Sequence, residues 1–107
     1  MIITTMNDLP GYRVDEVIGE VFGLTVRSRG VKGQLGASFK SMFGGELGSL
    51  TQMLAEGREE GIQRLVAEAE SKGANAIIAM RFDTSDIMDM GTEICAYGTA
   101  CKVTKTA

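Results

Sequence analysis

Apolar and polar positions interleave along residues 12–27. Val14, Ile18, Phe22, Leu24 and Val26 share one parity, with Glu16 and Glu20 interrupting, while Val17 and Val21 take the other. A period of two marks a β-strand, and Gly19 and Gly23 inside it predict a bulge, a bend or a close backbone approach. Upstream, residues 2–5 are short and β-branched, and Asp8-Leu9-Pro10-Gly11 reads as a turn. From residue 46 to 72 the period changes. Leu47, Leu50, Leu54, Gly57, Gly61, Leu65 and Ala69 recur at three and four residues, the stripe of an amphipathic helix. Ser49 and Gln52 have capping-box spacing, Glu60–Arg64 and Glu68–Lys72 are ion pairs four apart, and Lys72-Gly73 is a stop signal. Residues 75–83 and 92–104 alternate again. The order β-β-α-β-β predicts a single α+β domain over residues 1–107: a mainly antiparallel sheet of about four strands packed on one long helix.

One helix of about 40 Å, at ~1.5 Å per residue, covers one face of a small sheet. The long strands are apolar on both faces, so Val17, Val21, Ile77, Cys95, Tyr97 and Val103 need a further cover, and a second copy of the chain is the expected one. Gly57 and Gly61, one turn apart, fit a close approach either to a neighbouring copy or to the chain's own sheet.

Composition narrows the chemistry. The chain has 107 residues, 44% hydrophobic and 23% charged, which suits one folded domain. It has no histidine, which excludes Ser-His-Asp and Cys-His catalytic sets and His-ligated zinc or haem within one chain. The net charge of −3 argues against nucleic acid as a partner. No apolar run approaches the roughly 18 residues of a membrane span, and the first residues do not read as a signal peptide, so a cytoplasmic location with reduced thiols is expected. Charge is nevertheless segregated: residues 21–45 carry Arg27, Arg29, Lys32 and Lys40 without an acid, and residues 83–93 carry Asp83, Asp86, Asp89 and Glu93 without a base.

Three features are candidates for binding. Gly44-Gly45 precedes the long helix, where backbone amides attract anions, and Arg27 and its basic neighbours lie upstream. The stretch has neither Walker nor dinucleotide-fingerprint spacing. Cys95 and Cys101 sit six residues apart, about 20 Å along a flat strand at ~3.3 Å per residue, so a shared metal site requires a bulge or neighbouring subunits. The alternative is two buried small apolar side chains. The acidic run, with Met88 and Met90, offers oxygen or thioether ligands but lacks EF-hand spacing, and reads more simply as a solvated hairpin connection.

The stretches Gly19-Glu20-Val21-Phe22-Gly23, Thr25-Val26-Arg27, Gly44-Gly45-Glu46, Arg58-Glu59-Glu60, Gly73-Ala74-Asn75-Ala76, Arg81-Phe82-Asp83-Thr84-Ser85 and Ala96-Tyr97-Gly98-Thr99-Ala100, in that order, resemble the YbjQ-like family across nearly the whole chain. The resemblance implies a dodecin-like α+β subunit of a homopentamer, in a family of unassigned biochemical function that carries a heavy-metal-binding label. No metal ligand set transfers residue by residue; Cys95 and Cys101 are the metal candidates. The expectation is therefore a non-enzymatic cytoplasmic homo-oligomer binding a small ligand or ion. Arg27 and Arg81 are the anion contacts, Gly44 and Gly45 the backbone donors, Glu46 the helix cap and Tyr97 a pocket wall. Heavy-metal binding through the cysteines across subunits, or an enzyme with an interface site, are the alternatives.

Overall fold

The computed structural model describes residues 1–28, 48–87 and 91–106. Among these residues four strands and one helix follow in the expected order: β1 (Ile2–Ile3), β2 (Tyr12–Ser28), α1 (Gly48–Ser71), β3 (Ala76–Ile87) and β4 (Gly91–Lys105). They form a single mixed sheet in the order β1-β3-β4-β2, with β1 parallel to β3 and the other pairings antiparallel. The radius of gyration is 17.3 Å and the extents are 56 × 25 × 16 Å. A compact globule of this length has a radius of gyration near 13 Å, so this is a long, thin, two-layer slab.

The helix lies on the inner face of β2 and β4. Leu65 and Ala69 are fully buried with Val21, Ile77, Ala96 and Ala100, and Ile3, Ile18, Val66, Met80 and Phe82 pack around them. The approach is closest where α1 crosses β2. A Cβ placed on Gly23 would collide with the Gly61 carbonyl oxygen and the Leu65 nitrogen. Gly57 and Gly61 thus face the chain's own sheet, which resolves the two readings of that pair. The ion pairs expected along the helix form, Arg64–Glu60 at 2.7 Å and Lys72–Glu68 at 3.3 Å. The helix stops as its sequence requires: Gly73 takes φ +84°, and the amides of Gly73 and Ala74 bond the carbonyls of Glu70 and Ala69 at 3.0 Å each. Residues 46–47 and the Ser49 and Leu50 side chains, which carry the capping reading and part of the stripe, lie outside the described residues.

A second, smaller core sits on the opposite, outer face at one end. Ala76, Cys101 and Val103 are buried there beneath Ile2, Leu9, Tyr12 and Ile78. Asn75 closes this end, its side-chain amide donating to the Val103 carbonyl at 2.9 Å and accepting the Val103 amide at 2.8 Å.

Bulges decide which face each residue occupies. Register shifts between Val14 and Glu16 and between Val17 and Gly19 insert two extra residues in β2, and one between Ile78 and Arg81 inserts an extra residue in β3, where Ala79 takes φ 55°. Each insertion reverses the alternation that follows. Val17 pairs with Cys101 of the outer face, whereas Ile18 and Val21 both join the inner core. The parity read from the sequence, which grouped Ile18 with Phe22 and Val17 with Val21, is corrected accordingly. Asp83 and Asp86 belong to β3 and Glu93 to β4, so most of the expected acidic connection is strand; Met88, Asp89 and Met90 lie outside the described residues.

Candidate functional site

The outer face of the sheet beyond the second core is built in rows of directly paired residues: Phe22–Tyr97–Arg81, Leu24–Cys95–Asp83 and Val26–Glu93–Ser85. Directly opposed residues point to the same side of a sheet. The rows therefore grade from an apolar column on β2, through a mixed column on β4, to a polar column on β3. Phe22, Leu24 and Val26 remain 50%, 41% and 54% exposed. On the same strand Val21 is 0% exposed and Thr25 is 1% exposed, the latter donating through Oγ1 to the Gly57 carbonyl at 3.3 Å. Val14 and Val17 extend the bare column toward the second core.

The expected cover is thus divided. Val21 and Ile77 are covered by α1, and Val103 by the residue 2–12 arc. Val17, Cys95 and Tyr97 stay on the outer face. Phe22, Leu24 and Val26 join them there.

Two of the proposed ligand residues, Arg81 and Tyr97, are cross-strand neighbours in one row. The Arg81 guanidinium is partly committed, since Nη1 donates to the Thr5 carbonyl at 2.7 Å and the Met80 carbonyl at 2.9 Å. Arg27 lies on the other face. Its Nη2 reaches Glu60 at 3.3 Å, Glu60 holds Arg64 through its other oxygen, and Arg64 donates to the Leu24 carbonyl. Its buried Nε finds no acceptor among the described residues. The arrangement makes Arg27 a clasp between β2 and α1. Gly44, Gly45 and Glu46 lie outside the described residues, so the amide cradle placed there is not part of this geometry. Arg58 stacks over Phe82, with its guanidinium carbon 4.8 Å from the ring centroid.

The two thiols occupy different environments. Cys95 is half-buried in the centre of the bare rows and Cys101 is buried in the second core, its Sγ 3.8 Å from the Ala76 carbonyl oxygen. Burial pushes both thiols above their ordinary value; at Cys95 the carboxylates of Glu93, Asp83 and Glu20 push further in the same direction. Both are protonated at neutral pH, whereas a thiolate is what ligates metal or attacks an electrophile. Among the described residues no three potential Cys, Asp or Glu ligands gather at one point. No helix among them is long and apolar enough to cross a membrane.

Among the described residues, one long helix packed on a four-stranded mixed sheet defines a small α+β fold. The chain belongs to the YbjQ-like family: a family model described as "putative heavy-metal-binding" matches residues 1–104. It is 59% identical over 105 residues to a UPF0145 protein of Acidothermus cellulolyticus, covering 98% of this chain and 97% of that one. It is 55% identical over 105 residues to a UPF0145 protein of Streptomyces coelicolor, covering 98% and 99%. An archaeal relative from Sulfurisphaera tokodaii is 45% identical over 106 residues, covering 99% and 93%. A crystal structure of a protein of unknown function from Pediococcus pentosaceus, assigned to the DUF74 family, shares the fold with a TM-score of 0.52 at 16% identity over 99% of this chain and 98% of that one.

Proposed function

We propose that the chain is a cytoplasmic, non-enzymatic subunit of a homo-oligomer, a pentamer by family resemblance, that binds a small ligand or ion where copies meet. The supporting observation is the sheet itself: one helix serves a sheet that is apolar on both faces, and the slab is only 16 Å thin. Ligand polarity is supplied by Arg81 and Tyr97, which stand together in the outer rows. Arg27, tied to Glu60, serves the fold rather than the ligand in this reading. Native mass spectrometry of untagged protein tests it. The expected result is a multi-subunit species with a retained small-molecule or ion adduct; a clean monomer at micromolar concentration removes the proposal.

The family description favours a second reading, heavy-metal binding, with Cys95 as its best-placed donor. Cys101, sealed in the second core, contributes only if that core opens. Titration with cadmium, a thiol-seeking ion, should then show stoichiometric uptake that Cys95→Ala abolishes and Cys101→Ala leaves largely intact. Equal uptake by wild type and Cys95→Ala rejects the cysteine site.

A further inference from the structure

We infer that the outer-face column of Phe22, Leu24 and Val26, with Cys95 and Tyr97 beside it, is the surface through which copies of this chain associate, and that a second copy is its occupant. The inference rests on the homo-oligomer reading above and adds the surface and its consequences.

Area is the first argument. Val14, Val17, Phe22, Leu24 and Val26 are 39%, 64%, 50%, 41% and 54% exposed and lie on one face, with Glu20 between Val17 and the continuous run of Phe22, Leu24 and Val26. Together they leave on the order of 400 Å² of apolar surface bare on that face, the scale that marks an interaction site rather than scattered exposure. A standard interface takes about 800 Å² from each partner, somewhat more than half of it apolar, so this column supplies the centre of one such interface.

Charge is the second. Glu20 stands in the column next to Phe22, Asp83 and Glu93 lie beside it on the same face, and Arg81 is the one base in the three rows. A phosphate-rich surface, whether anionic lipid or nucleic acid, meets three carboxylates there, and the net charge of −3 adds to the repulsion. A second copy brings both signs. Arg81 ends the first row on β3 and Glu93 stands two rows away on β4, so neighbouring copies can set the base of one against the acid of the other beside an apolar centre.

Two consequences follow. Cys95, opposite Leu24 in the middle row, is sealed by the neighbour. Arg81 and Tyr97 lie at the border of the covered area, so a ligand held there touches both copies, and the site is incomplete in one chain.

The test compares wild type with Phe22→Asp and with Leu24→Asp by light scattering and native mass spectrometry, with far-UV circular dichroism as the check on folding. The expected result is a multi-subunit wild type and variants that dissociate at least 100-fold more readily while keeping the wild-type spectrum. An oligomeric wild type with folded variants of unchanged copy number overturns the surface assignment and leaves the homo-oligomer reading standing. A monomeric wild type overturns both, and flotation of that monomer with neutral phosphatidylcholine vesicles would assign the patch to a bilayer. Cys95 gives a readout that needs no fold-perturbing variant. In Cys101→Ala protein, maleimide labelling should accelerate at least tenfold on dilution through the dissociation midpoint; an unchanged rate across dissociation overturns the assignment.

Discussion

Val21, Gly23 and Thr25 point into the slab, and Phe22, Leu24 and Val26, interleaved with them on the same strand, point out of it. The inner set is fully enclosed by α1, and its limits are steric: a hydrogen atom at position 23 is all the helix backbone leaves room for. The outer set is larger and more apolar, yet half of each side chain is in solvent. Hydrophobicity alone therefore does not decide which residues form the core of this chain. The helix rests on the face that lets two backbones approach, and the bulkier face is left exposed.

That contrast is sharpest at Gly23. Gly23→Ala drives a methyl into the backbone of Gly61 and Leu65, which cannot rotate away. The expected cost is about 3 kcal/mol or more, at the upper end for overpacking, measured by urea denaturation; a loss under about 1 kcal/mol would mean the helix can lift freely. Next comes Leu65→Ala, which empties a fully buried site and should cost about 2–5 kcal/mol in the same assay. Gly61→Ala tests the other side of the crossing. Its added Cβ meets only ordinary contacts, the Gly23 carbonyl oxygen at 3.6 Å and the Ala96 Cβ at 3.7 Å. The helix-propensity gain of up to about 1 kcal/mol should then survive, and the variant should be as stable as wild type or more so. Two glycines in contact across one crossing are thus expected to respond with opposite signs.

The smallest expected effect concerns charge at the far end of β2. Asp15 accepts hydrogen bonds from Thr104 and then Arg13, which hold its carboxyl below the usual carboxylate range. A carboxylate with a lowered folded-state pKa contributes stability that is present above its unfolded value and is lost as pH falls through the folded one. Asp15→Asn should therefore flatten the acid limb of the stability profile slightly and leave neutral-pH association unchanged. An acid limb as steep as that of wild type in the same urea assay would show that these hydrogen bonds carry no pH-dependent stability.

Much of the fold is written in local pattern. The order of elements, the helix from its period to its Gly73 stop and its two ion pairs follow from spacing, because period and capping are properties of near neighbours. The family was legible too, through ordered short stretches such as Arg81-Phe82-Asp83 and Ala96-Tyr97-Gly98-Thr99-Ala100. Of the candidate ligand residues, spacing does not show which share a face: Arg81 and Tyr97 are cross-strand neighbours, whereas Arg27 stands on the opposite face, holding Glu60. Asn75, which doubles the hydrogen bonding at Val103, is legible only as part of the Gly73-Ala74-Asn75-Ala76 stretch, and its role there comes from the structure.

What the sequence by itself determined is the set of elements, their order and the fact that one helix cannot cover both apolar faces of these strands. What only the tertiary structure decided is which residues lie on which face. A strand alternates strictly, so one extra residue at a bulge inverts everything beyond it, and the bulges of β2 and β3 are fixed by pairing to an uninterrupted β4 that is distant in sequence. Gly19 signals a break in the alternation, but only that long-range register determines where it falls, and so places Val21 beneath the helix and Phe22 outside it.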